Sequence, residues 1–185
     1  NRLSKFNGEV IRAWGLLLRA LPDARLLVGG MPERHDHAEV RAWLEHEGIV
    51  AHRVDFHGRI VLHDYLKLHQ QVDLCLDTFP YPGGTTTMHA GWMGVPTLTL
   101  DAGTVTGRQT ACFLEHCGLH HFVAHSVDDF VARGLAICGD LPALAAVRAT
   151  LRERYALPTS DTMTRITDGV DHALREMWRR WCQGL

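Results

Sequence analysis

The chain has 185 residues, of which 46% are hydrophobic and 22% charged, a balance that suits one compact globular domain with a sizeable core. A formal net charge of -2 excludes a broad basic field for a nucleic-acid backbone or an anionic membrane, so any bound phosphate must be held locally. Five cysteines, Cys75, Cys112, Cys117, Cys138 and Cys182, form an odd set without CxxC spacing, and no signal peptide or apolar run of about 18 residues is present; free thiols and a cytoplasmic location are expected.

From Glu9 to Leu21 the apolar residues Val10, Ile11, Trp14, Leu17, Leu18 and Leu21 recur at helical spacing until Pro22 stops the pattern. Ala24–Val28 is a short apolar run closed by Gly29 and Gly30, which predicts a buried strand leaving into a loop. The alternation continues. Helix is predicted for His37–Glu47, strand for Val54–Phe56, helix for Leu62–Gln70, strand for Leu74–Asp77, helix for Thr86–Met93 and strand for Thr97–Leu100. Strands separated by helices of this length imply a parallel sheet covered on both faces. Beyond Leu100 the pattern predicts helices at Thr110–Cys117, Val127–Cys138, Leu141–Arg154 and Thr162–Trp181, with one weak strand at Phe122–Ala124. The segment Ala156–Asp161 contains Pro158, Thr159 and Ser160 and reads as a linker. The start at Asn1, without a methionine, is what a segment of a longer chain would show.

Val72 to Leu100 is the most informative stretch. An apolar strand ending in Asp77-Thr78 runs into a loop containing Pro80, Pro82, Gly83 and Gly84, and then Thr85-Thr86-Thr87 opens a helix. In open parallel sheets ligands bind outside the carboxyl ends of the strands, and a helix start there offers N–H groups and about half a positive charge. Glycines let the backbone approach an oxyanion, and threonine hydroxyls can cap the helix or donate to phosphate oxygens. Read from the loop alone, capping and diphosphate binding both remain open.

The run Asp73-Leu-Cys-Leu-Asp-Thr-Phe-Pro-Tyr-Pro-Gly-Gly-Thr-Thr-Thr-Met, followed by Trp92-Met-Gly-Val-Pro and Thr99-Leu, resembles the donor-binding signature of the O-linked N-acetylglucosamine transferases and SPINDLY-like glycosyltransferases, of the glycosyltransferase family 41 type. The resemblance reaches upstream to Asn1-Arg-Leu-Ser-Lys and Trp14 and downstream through Trp178. It implies an α/β, Rossmann-like three-layer domain, residues 1–185, forming the C-terminal half of a GT-B glycosyltransferase. Residues 162–185 would then be a terminal helix packing on an N-terminal domain outside this chain, itself preceded by tetratricopeptide-type helical repeats.

The same resemblance implies UDP-sugar as donor, inverting hexosyl transfer to a protein Ser or Thr, no metal or other cofactor, and an isolated half that is inactive. It implies a catalytic and diphosphate-contacting role for Lys5, diphosphate binding by Gly83, Gly84, Thr85, Thr86 and Thr87, and nucleoside binding by Ile60, Tyr65 and His89. A cation at Lys5, set at a strand-to-helix junction, would stabilise the departing nucleoside diphosphate. Tyr65 stands where eukaryotic members stack a histidine on the base, and a phenol ring can do the same. His89 replaces an Asp or Glu at the ribose, Leu62 replaces a lysine, and Gly29 and Gly30 stand where a basic residue often closes the strand. These departures leave a second reading open, a degenerate domain kept as an interaction module without donor binding; a third is a sugar-nucleotide enzyme of other chemistry, such as an epimerase.

Thirteen histidines, among them His35, His37, His120 and His121, show no HExxH or Cys/His quartet spacing, so solvated surface groups are expected rather than a metal site. Ser4, Ser126 and Ser160 lack a nucleophile-elbow context. Met177, Trp178 and Trp181 need a partner surface, and the expected one is the remainder of a two-domain enzyme.

Overall fold

A computed structural model describes residues 3–31 and 37–184. After a short 3-10 turn at Leu3–Lys5 the order is α1 (Gly8–Ala20), β1 (Leu26–Met31), α2 (Ala38–His46), β2 (Val54–Gly58), α3 (Leu62–Leu68), β3 (Cys75–Leu76), α4 (Thr85–Trp92), β4 (Thr97–Leu100), α5 (Gln109–His116), β5 (Val123–Ala124), α6 (Val127–Gly139) and α7 (Leu141–Cys182). Every strand pairing is parallel: β1 with β2, and β3, β4 and β5 in that order. Hydrogen bonding therefore divides the strands into two sheets, but a shared core spans them. Leu26 and Val28 of β1 lie in one buried cluster with Leu98 of β4, Phe130 of α6 and the stripe Val10, Ile11, Trp14, Leu17 and Leu18 of α1.

A second cluster joins Ala111 and Leu114 of α5, Phe122, Val123, and Leu144 and Leu151 of α7. Val123 and its neighbour Ala124 go to different clusters, as the alternation of side chains across a strand requires. The clusters thus occupy the two faces of the strand layer, and the domain has the expected three layers.

The ends of α1 are fixed by side chains. Asn7 Oδ1 accepts the N–H of Val10 at 3.0 Å, satisfying one donor at the helix start. At the other end the Arg53 guanidinium donates to the carbonyls of Leu18 (2.9 Å), Leu21 (2.7 Å) and Ala24, tying the helix exit to the strand before which Arg53 stands.

Two expectations are corrected. Gly29 and Gly30 do not leave β1: the strand runs on to Met31, with a register shift between Val28 and Met31 and Gly30 at φ 79°. A glycine that can adopt positive φ absorbs such a bulge without ending the pairing. Nor is Ala156–Asp161 a break, since α7 is continuous from Leu141 to Cys182. Its first part is anchored by Leu144 and Leu151 in the second cluster, and its last part carries i,i+4 pairs between Asp171 and Arg175 and between Glu176 and Arg180. Proline removes one helical hydrogen bond, and here the helix continues past it. From residue 163 onward the helix is exposed apart from half-buried Glu176.

No single helix among the described residues is long and apolar enough to cross a membrane. Val127–Gly139 and Leu141–Ala156 pass that test only as a bent pair, and their apolar residues Phe130, Leu144 and Leu151 are buried in the core.

Candidate anion-binding site

The loop after β3 is organised by a carboxylate. Asp77 is 1% exposed; its Oδ1 accepts the N–H groups of Thr78 (2.9 Å) and Gly83 (2.7 Å), and its Oδ2 accepts the Thr99 hydroxyl from β4 (2.9 Å). Burying a carboxylate is costly unless its oxygens are satisfied, and these donors close residues 78–83 into a loop around Asp77. Thr78 Oγ1 donates to the Tyr81 carbonyl at 2.8 Å within the same loop. Thr110 Oγ1, from α5, donates to the carbonyl of Gly83 at 3.1 Å.

The loop delivers the chain to α4, which begins at Thr85 with Gly84 as its N-cap. This corrects the expectation that threonine hydroxyls cap the helix: Gly84, without a side chain, takes the cap position. The Thr87 hydroxyl is buried and pairs with Thr110 Oγ1 at 3.1 Å, and its backbone N–H lies in the first turn of α4. Thr85 is exposed and Thr86 half-buried at the helix start. Gly83 is required by packing, since a Cβ there would overlap Thr87 Oγ1 and stand 3.0 Å from Thr86 Oγ1 and 3.3 Å from Asp77 Oδ1.

The beginning of the chain is pinned to this loop by three donors. Lys5 Nζ donates to the Pro82 carbonyl at 2.6 Å, Asn7 Nδ2 to the Phe79 carbonyl at 2.8 Å, and Trp14 Nε1 to the Asp77 carbonyl at 3.2 Å. The Lys5 ammonium also lies 4.5 Å from the centre of the Tyr81 ring. Lys5 sits in the 3-10 turn ahead of α1 rather than at a strand-to-helix junction. The fold nevertheless brings it to the glycine loop, 77 positions later in the chain.

Of the residues expected at a nucleoside, Tyr65 of α3 and His89 of α4 come together, with ring centroids 5.6 Å apart and 64° between planes. His69 meets Tyr65 edge-on at 5.0 Å, and its Nδ1–H donates to the carbonyls of Tyr65 and Leu66 at 3.2 and 3.3 Å. Burial, with a smaller contribution from the Cys75 thiol, pushes the Tyr65 phenol up to about 12, so the ring is neutral at physiological pH. Burial lowers the pKa of His69 against the opposing pull of the two carbonyls. Ile60 is 44% exposed in the connection from β2 to α3. Leu62 is exposed at the first position of α3.

Sequence reasoning passed over Asp77, Asn7, Tyr81, Thr99 and Thr110. Asp77 is visible as a polar residue closing an apolar strand, but its partners include the two ends of the loop, Thr78 and Gly83, and Thr99 of β4. Among the described residues no three His, Cys, Asp or Glu side chains are grouped as a metal site. His37 stacks on Phe56 at 4.9 Å, and His35 lies outside the described residues.

Fold and site together define a Rossmann-like α/β domain in which a lysine from the start of the chain reaches a glycine loop and a helix start at the carboxyl ends of its parallel strands. The family model for glycosyl transferase family 41 matches residues 1–164, and the chain belongs to that family. It is 33% identical over 187 residues to the probable UDP-N-acetylglucosamine–peptide N-acetylglucosaminyltransferase SPINDLY of Solanum lycopersicum, and 36% identical over 189 residues to the SPINDLY of Hordeum vulgare. All of this chain is matched in each case, but only 20% of the relative, so the chain spans about a fifth of their length. Among solved structures, a mutant of the Thermobaculum terrenum O-GlcNAc transferase superposes with a TM-score of 0.90 at 32% identity, covering 99% of this chain and 36% of that one.

Proposed function

We propose that this chain binds a UDP-sugar and forms the donor side of an inverting protein O-glycosyltransferase, which transfers N-acetylglucosamine or another hexose to Ser or Thr. The observation that carries the reading is the Lys5 ammonium held 2.6 Å from the Pro82 carbonyl, on the loop that enters α4. A cation and a helix start converge there, and both favour a diphosphate. They would neutralise the leaving UDP as the glycosidic bond breaks. This role requires no divalent cation. Ile60, Tyr65 and His89 hold the nucleoside in this reading, and Gly83, Gly84 and the backbone of Thr85, Thr86 and Thr87 surround the phosphates.

The acceptor site and the remaining catalytic groups lie in the larger part of the protein outside this chain, against which residues 162–185 pack. The names of the relatives, which specify UDP-N-acetylglucosamine and peptide, support the choice of donor and acceptor class.

Calorimetric titration with UDP, with GDP and ADP alongside and with EDTA present, tests the reading. Saturable UDP binding, unaffected by EDTA and weakened at least about tenfold in Lys5→Ala, the size of one lost charge-assisted contact, is the expected result. Absence of UDP binding at millimolar ligand overturns it, and a preference for GDP or ADP overturns the choice of nucleotide.

A further inference from the structure

The phosphate role of Lys5 raises the question of what holds its ammonium over the loop, because a lysine stem is a flexible four-carbon chain. The Pro82 carbonyl at 2.6 Å and the face of Tyr81, 4.5 Å from ring centre to Nζ, both contribute. Tyr81 is itself set by the loop. Its carbonyl accepts the Thr78 hydroxyl, and Thr78 and Gly83, on either side, are both held by Asp77. The ring is 55% exposed, so it contributes little to the core, yet it stands where a cation is attracted by the π face.

We propose that Tyr81 is a positioning residue for Lys5: its ring holds the ammonium over the loop before ligand arrives, so that the positive charge is in place when a diphosphate docks. This rests on the reading of the loop as the donor diphosphate site. An exposed aromatic contact of this kind changes an equilibrium by about two- to fivefold. Its chemistry makes the hydroxyl dispensable, because phenylalanine keeps the π face, whereas leucine keeps bulk and loses the quadrupole.

The test is UDP titration of the 185-residue chain as wild type, Tyr81→Phe, Tyr81→Leu, Lys5→Met and the Lys5→Met/Tyr81→Leu pair, with weak binding followed by ligand-detected NMR. Tyr81→Phe should stay within about twofold of wild type and Tyr81→Leu should bind about two- to fivefold more weakly, with thermal midpoints unchanged. In the Lys5→Met background Tyr81→Leu should add no further loss, since a residue acting through Lys5 has nothing left to act on. Equal losses in both backgrounds overturn the proposal, as does a Tyr81→Phe loss as large as that of Tyr81→Leu, or a Tyr81→Leu variant that binds like wild type. Failure of the wild type to bind UDP instead overturns the donor-site reading on which the proposal stands.

Discussion

At Gly83 the volume that a side chain would need is already held by the hydroxyls of Thr86 and Thr87 and by Asp77 Oδ1, and its N–H is one of the donors that satisfy that buried carboxylate. Gly83→Ala must therefore push the loop off Asp77 or push Thr87 off Thr110. Overpacking of a tight site costs about 1–3 kcal/mol, so chemical denaturation should show a loss of that size, together with loss of UDP binding. Gly84→Ala should be milder, because the atom met there is the carboxamide end of Gln109 at 3.3 Å, a side chain that can turn away. Tyr65 yields a prediction of a different kind. Its folded pKa of about 12 lies above the ordinary value of 10.0, so the unfolded chain releases this proton first as pH rises. The Tyr65 contribution to stability is thus complete below pH 10 and is lost between about 10 and 12. Ultraviolet titration of wild type and Tyr65→Phe should assign the late-titrating phenol to Tyr65. At this scale the family resemblance, and not spacing, singles out Lys5, Tyr65 and His89, and the fold brings Lys5 to the glycine loop and Tyr65 beside His89. The sequence did not make the inward turn of Thr87 readable, since a hydroxyl's direction depends on Thr110 of a different helix.

Asn7 shows how one side chain couples an element to the site. Its Oδ1 caps α1 and its Nδ2 holds the Phe79 carbonyl of the loop. Asn7→Ala removes both interactions and should lower stability by about 1–2 kcal/mol, the range for losing an N-cap. Asn7→Asp keeps the cap but has no donor for Phe79; denaturation should then change little while UDP affinity falls. His69 plays the corresponding part at the end of α3. Its pKa is lowered chiefly by burial, so the unfolded chain takes up the proton first. The stability it contributes is present above pH 6.5 and is lost as pH falls through the lower folded value. Thermal midpoints measured through mildly acidic pH should fall less steeply in His69→Gln than in wild type. Helical periodicity located α1 and α6 well, because buried stripes such as Val10, Trp14 and Leu17 repeat at 3.6 residues. The strands were harder to bound: β3 and β5 pair over two residues each, and the end of β1 depends on a bulge at Gly30 that glycine composition alone reads as a loop.

For the whole molecule, alternation of strand and helix made the parallel three-layer arrangement legible, whereas the division into two hydrogen-bonded sheets depends on pairing that no local pattern records. The course of α7 is the larger departure. A proline-containing stretch read as a linker is helix, and the helix carries an apolar row, Met163, Ile166, Val170, Leu174, Met177, Trp178 and Trp181, away from the core. Trp178 is 67% and Trp181 77% exposed. Such a row, spaced three and four residues apart, is the pattern of a helix face that packs on something, and in this chain its side chains are all more than half exposed and add little to the core. Replacing Trp178 and Trp181 by Gln should therefore leave the unfolding free energy of the 185-residue chain unchanged to within about 0.5 kcal/mol, as for surface sites in general. Amide exchange should be slow over residues 141–155, where Leu144 and Leu151 are buried, and fast beyond residue 163, since an unpacked helix is marginal in water. In a longer protein that supplies the covering surface, burying two tryptophans is worth several times more. The same double substitution should then lower stability by about 2–4 kcal/mol or more and slow exchange should extend to residue 181. A large destabilisation in the short chain would mean that the row folds back on its own domain, and an unchanged longer protein would mean that the surface it meets is not part of the same polypeptide.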